Sequence, residues 1–206
     1  MGSLKNNSCK KYFQELRKIK DVAFATVDEN LNPQVRIIDV MIVEDEKLYF
    51  VTARGKDFYR ELEKSKKVSI VGINEKYQTI RVLGKVKKVG QSLLDKVFLE
   101  NPSMNNIYPN NSRYILEVFC LYKGEGEFFD LSKEPIFRES FSFGNQEISK
   151  RGFIISKMCI ACGTCKKVCP QSCISEGEIY SINQENCLHC GLCFEKCPVD
   201  AIERRS

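Results

Sequence analysis

The feature that most constrains this 206-residue chain is a spaced set of cysteines near its end. Cys159-x2-Cys162-x2-Cys165-x3-Cys169-Pro170 recurs as Cys187-x2-Cys190-x2-Cys193-x3-Cys197-Pro198, each position displaced by 28 residues. Nine of the eleven cysteines fall between Cys159 and Cys197; Cys9 and Cys120 stand alone upstream. Disulfides of a secreted protein are spread over the domain they staple, and the first twenty residues contain no apolar signal core. Reduced thiolates acting as metal ligands account better for the crowding, and a cytoplasmic setting is expected. The sequons at Asn6 and Asn110 then carry no meaning.

Zinc ribbons also use Cys-x2-Cys, but as two pairs separated by a longer loop; here three cysteines crowd into seven residues, twice, with Pro after each fourth. That spacing is the bacterial 4Fe–4S run, whose fourth cysteine reaches over to the other cluster. Crossed ligation assigns Cys159, Cys162, Cys165 and Cys197 to one cluster and Cys187, Cys190, Cys193 and Cys169 to the other. Gly163 and Gly191 sit beside the second cysteine of each run, where a small residue lets backbone N–H groups approach sulfur. Cys173 falls at the repeat position of Ala201, which gives it no ligand role and makes it a buried small side chain. The only histidine, His189, has Ala161 as its counterpart and reads as a loop side chain. Within a domain expected over residues 152–206, about 152–204 resemble bacterial two-cluster ferredoxins, which implies a small pseudo-twofold α+β fold of two short hairpins and two short helices. Phe153–Ser156 and Glu178–Ile182 are its strand candidates.

Upstream, Lys10–Asp21 carries Tyr12, Phe13, Leu16 and Ile19 at helical spacing. Val22–Val27, Gln34–Val43, Lys47–Ala53, Lys67–Asn74 and Tyr77–Val89 are rich in β-branched and aromatic residues and separated by turns such as Asp28–Pro33. Short helices are expected at Phe58–Lys64 and Ser92–Leu99, and strands resume at Arg113–Tyr122, Glu125–Leu131 and Ile136–Phe143. The pattern predicts a mainly β domain over residues 1–145, an antiparallel barrel or sandwich with flanking helices.

This order resembles the pyridoxamine-phosphate-oxidase-like flavin-binding split barrels through Pro33-Gln-Val-Arg-Ile-Ile38, Leu48-Tyr-Phe-Val-Thr52, Lys56, Lys67-Val-Ser-Ile70 and Arg81-Val-Leu-Gly-Lys85. The resemblance implies a homodimer with FMN across its interface, the phosphate met by Arg36, Thr52 and Lys56. A guanidinium, a hydroxyl and an ammonium suit a phosphate of about −2. Ile37 and Ile38 would give the flavin ring a backbone edge and apolar cover. The basic residues that hold a second phosphate in the named oxidase have no match here, so vitamin oxidation is not expected. Gly124-Glu-Gly126 has Phe129 where a dinucleotide fingerprint needs glycine, and no Ser/His/Asp set is available, so no catalytic residue is assigned.

The polar stretch Gly144–Gly152 separates the two patterns and keeps the modules at high effective concentration. Together they predict an oxidoreductase in which two 4Fe–4S clusters exchange electrons with FMN and reduce a small molecule or a redox partner, in an anaerobic setting. A non-enzymatic electron carrier with a flavin-binding or dimerisation barrel is the alternative. A heme scaffold is disfavoured by the single histidine. A net charge of +5 is too weak a signal for nucleic acid, and the longest apolar run, Val118–Tyr122, is far short of a membrane helix.

Overall fold

A computed structural model describes residues 3–205, with side chains described from Ser8 on. Helix α1 (Ser3–Ile19) buries Cys9, Tyr12, Phe13 and Leu16 along one stripe. Its pattern begins a turn before the expected start because Cys9, fully buried, behaves as an apolar residue. Lys20, at φ 68°, ends it in the left-handed region, with its N–H on the Leu16 carbonyl at 3.0 Å.

Four strands follow: β1 (Asp21–Val27), β2 (Pro33–Asp39), β3 (Ile42–Glu44) and β4 (Lys47–Ala53). The continuous strand expected from Gln34 to Val43 is thus broken at Val40 and Met41. The Val40 N–H donates to Lys20 O at 3.4 Å, whereas the Met41 N–H donates to Tyr49 O at 2.9 Å. Within two residues the backbone exchanges one sheet neighbour for another, which makes a barrel corner that a stretch rich in β-branched residues does not reveal. Helix α2 (Asp57–Ser65) leads to β5 (Lys67–Ile73), which alternates strictly between buried and exposed, and β6 (Thr79–Gly90), which alternates as far as Val86. Helices α3 (Leu94–Glu100) and α4 (Met104–Ile107) and a 3-10 turn at Asn110–Ile115 precede β7 (Leu116–Asp130) and β8 (Phe137–Phe143).

β7 is one strand of 15 residues, not the two expected on either side of Lys123 and Gly124. Gly124 is no turn: a Cβ there would strike the Leu83 carbonyl and come within 2.6 Å of the Gly84 Cα. The missing side chain lets two backbones cross closely. The antiparallel sheet runs β2-β1-β5-β6-β7-β4-β3, with β8 on β7, in a split-barrel fold. Phe24, Phe50, Phe58 and Phe119 pack ring against ring inside it, and Met41, Tyr49, Val51, Val97, Phe98 and Val118 form a second buried cluster under α3.

The C-terminal elements are β9 (Phe153–Ile155), α5 (Thr164–Val168), β10 (Ile174–Ser175), β11 (Ser181–Ile182), a 3-10 turn at Gln184–Asn186, α6 (Leu192–Glu195) and β12 (Ile202–Arg204). β9 pairs with β12 and β10 with β11, two antiparallel ribbons and two short helices. The strand expected over Glu178–Ile182 shrinks to its last two residues.

Contacts group the chain into two compact units. One holds the described residues up to Glu75, Thr79–Glu127 and Ser140–Glu147; the other holds Lys76–Gln78, Phe128–Glu139 and the residues from Ile148 on. The linker expected at Gly144–Gly152 spans the last of these transitions, but the far ends of β7 and β8 and the turn between them also belong to the second unit. Among the described residues no helix is long and apolar enough to cross a membrane.

Candidate redox site

The two cysteine runs fold into near-identical loops. The Ala161 N–H donates to Cys159 Sγ at 3.4 Å, and the His189 N–H donates to Cys187 Sγ at the same distance. Both residues are left-handed, at φ 53° and 57°, so His189 shares the backbone geometry of its counterpart Ala161. Gly163 and Gly191 follow at φ 79° and 82°, each turning the chain into the helix that carries the third cysteine of its run.

Each run then closes around a cavity. Cys159, Cys162 and Cys165 line one of about 310 Å³ together with Cys197, which comes from the other run. Cys187, Cys190 and Cys193 line a second of about 330 Å³ together with Cys169. The remaining walls are mainly apolar, among them Ile155, Ala201 and Ile202 in the first and Phe153, Ile174 and Ile182 in the second. The Ala201 N–H donates to Cys197 Sγ at 3.2 Å. Among the described residues no three His, Cys, Asp or Glu side chains converge as a single metal ion requires. Four thiolates on one zinc, at Zn–S ~2.3 Å, would stand within ~4 Å of each other.

Without metal these thiols differ. Burial raises Cys165 and pushes Cys193 up to about 11, whereas the Thr164 hydroxyl lowers exposed Cys162. The buried Cys173, given no ligand role by the repeat, also lines the second cavity, with Sγ 3.5 Å from that of Cys169. Repeat symmetry offered no signal for that proximity, because its counterpart is Ala201.

The barrel residues form a looser set. On β2, Arg36 and Ile38 are half-buried on one face, while Val35 and Ile37 are 71% and 60% exposed on the other. Arg36 Nη2 lies 2.8 Å from Glu61 Oε2, Nη1 donates to Thr26 Oγ1, and the guanidinium sits 4.6 Å from the Phe58 ring centroid. The Thr26 hydroxyl donates in turn to Glu61, which is buried. Sequence reasoning missed this acid, though its signal was present: a carboxylate on the apolar stripe between Phe58 and Leu62.

Thr52 is buried on β4, and among the described residues its Oγ1 has no hydrogen-bond partner. Lys56 is exposed just before α2. A cavity of about 850 Å³ is lined by Gln34, Arg36, Arg60 and Lys64 among acids that include Asp57 and Glu61; Thr52 and Lys56 are not part of that wall. Arg36, Thr52 and Lys56 therefore do not converge on this cavity.

Residues 10–114 match the family model described as pyridoxamine 5'-phosphate oxidase. The chain belongs to this family. Residues 153–175 and 180–203 each match the 4Fe-4S binding domain, so a member of the pyridoxamine 5'-phosphate oxidase family here carries two iron–sulfur motifs, the makeup of a redox protein. Its fold is similar to that of a NimC/NimA family protein from Clostridium acetobutylicum, 26% identical with a TM-score of 0.58, the match covering 66% of this chain and 94% of that one. PhzG from Burkholderia lata 383, solved with tetrahydrophenazine-1-carboxylic acid, is 17% identical over 71% of this chain and 88% of its own, TM-score 0.52. A heme binding protein from Mycobacterium smegmatis is 11% identical over 65% of this chain and 57% of its own, TM-score 0.51. The last two share the fold alone. No curated protein matches the chain.

Proposed function

We propose that this chain is an oxidoreductase that passes electrons between two 4Fe–4S clusters and FMN and reduces a small molecule or a redox partner. The observation that carries the reading is the composition of the two cavities: each gathers three cysteines of one run and the fourth of the other. Cys159, Cys162, Cys165 and Cys197 would hold one cluster, and Cys187, Cys190, Cys193 and Cys169 the second. The dispersed sulfurs favour a cluster over a single zinc.

The clusters supply one-electron carriers and FMN a carrier of one or two electrons. The chain's own groups hold them. N–H groups of Ala161, His189 and Ala201 aimed at sulfur stabilise thiolate charge. In the barrel, the orphaned Thr52 hydroxyl awaits an acceptor, and the ammonium of Lys56 is exposed. Arg36 has five N–H donors, of which only part is committed to Glu61 and Thr26. β2 is an edge strand, so its outer backbone groups are open to a flavin ring beside Ile37 and Ile38. Val35, Ile37, Val71, Ile73 and Leu83 leave an exposed apolar face on the sheet, which supports the homodimer implied by the family.

One observation favours a second reading, an electron carrier whose barrel serves assembly: the buried carboxylate of Glu61 already balances Arg36. Anaerobic purification or reconstitution, followed by iron, sulfide and flavin assays, separates the two. About eight irons and one flavin per chain are expected for the oxidoreductase; irons without tight flavin favour the carrier, and a chain that takes up neither defeats both.

A further inference from the structure

The two cysteine loops are alike in their backbone turns and in the N–H groups of Ala161 and His189 aimed at sulfur, and differ at Thr164 beside Cys162 and at Cys173 beside Cys169. A segment outside the repeat adds a full positive charge to one side alone. Residues 128–139, the far ends of β7 and β8 with the turn between them, belong to the same compact unit as the loops. Three hydrogen bonds tie this segment to the second site. The Ile136 N–H donates to Gln171 Oε1 at 3.1 Å, Asn186 Nδ2 donates to Ile136 O at 2.8 Å, and Arg138 Nε donates to Cys187 O at 3.2 Å. Gln171 and Cys187 both line the second cavity. The Arg138 guanidinium lies 4.5 Å from the Phe129 ring centroid, a stacking that fixes its plane.

We infer that Arg138 is a positioning residue that raises the reduction potential of the cluster held by Cys187, Cys190, Cys193 and Cys169 above that of the other. This rests on the proposed function, since it needs both clusters. One-electron reduction adds one negative charge to a cluster. A permanently protonated guanidinium bonded to a ligand's own carbonyl favours the more negative state, and it polarises the Cys187–Leu188 peptide in the same sense. With clusters held at both sites, a single electron would favour the one held by Cys187, Cys190, Cys193 and Cys169, with no bond made or broken and no proton moved.

The test is a potentiometric titration, followed by electron paramagnetic resonance, of the full-length chain reconstituted with iron and sulfide. Wild type, Arg138→Lys, Arg138→Leu and Asn186→Ala are compared. With about eight irons in each, Arg138→Leu is expected to lower one couple and leave the other in place. Arg138→Lys should retain most of the wild-type value, and Asn186→Ala, which loosens the segment, should lower the same couple by less. Unchanged couples in Arg138→Leu, or equal shifts of both, overturn the inference while leaving the proposed function intact. Should the leucine chain lose half its iron, the other two variants decide: an Asn186→Ala couple unmoved from wild type overturns it. A wild-type chain that holds no cluster defeats the proposed function itself, and the role of Arg138 with it.

Discussion

At the scale of single residues, a buried hydroxyl without an acceptor is a cost that a ligand can relieve. Thr52 offers a clean comparison, because an unsatisfied buried polar group costs about 1–3 kcal/mol and valine has nearly the same shape. Thr52→Val is expected to melt no earlier than wild type when flavin is absent, yet to bind FMN about tenfold more weakly, read by thermal denaturation and fluorescence titration. Crossed ligation has its own signature. Cys169→Ser and Cys187→Ser strike one cluster, so the double variant should keep about four irons, whereas Cys169→Ser with Cys159→Ser should keep almost none by iron assay. The grouping of three cysteines of one run with the fourth of the other was legible because the spacing itself dictates it. The environment of Arg36 was not: its partner Glu61 lies 25 residues on, on a helix, and only the folded chain brings them within 2.8 Å. Cys173 was legible as buried, but not as a neighbour of Cys169.

Among the elements, alternation located β1 and β5 closely, and β-branched and aromatic content located β4 and β8. The readings missed where a strand's neighbours change. The apolar stretch from Ile37 to Val43, interrupted only by Asp39, gives no sign that its hydrogen bonds pass from Lys20 to Tyr49. The break expected between Tyr122 and Glu125 is absent, and the reason Gly124 is glycine is steric. Gly124→Ala is therefore expected to destabilise the barrel by about 2 kcal/mol or more, measured by chemical denaturation. A neutral alanine there would mean that β6 and β7 do not cross as closely as described.

For the whole molecule, the exposed apolar face of β1, β2, β5 and β6 is the feature a solitary chain would have to hide. Ile37 stands on it at the edge strand and contributes nothing to the buried core. Ile37→Asp is expected to halve the mass measured by light scattering while circular dichroism stays unchanged. An unaltered mass would overturn this face as the interface of the proposed homodimer.

The second unit is assembled from three stretches of chain, not from the last one alone. Severing the protein at Gly144–Gly152 would leave behind the partners of Gln171, Asn186 and the Cys187 carbonyl. Such a fragment would be an amputated domain instead of a liberated one, so the iron–sulfur part is less a detachable cassette than an organ grown into its host.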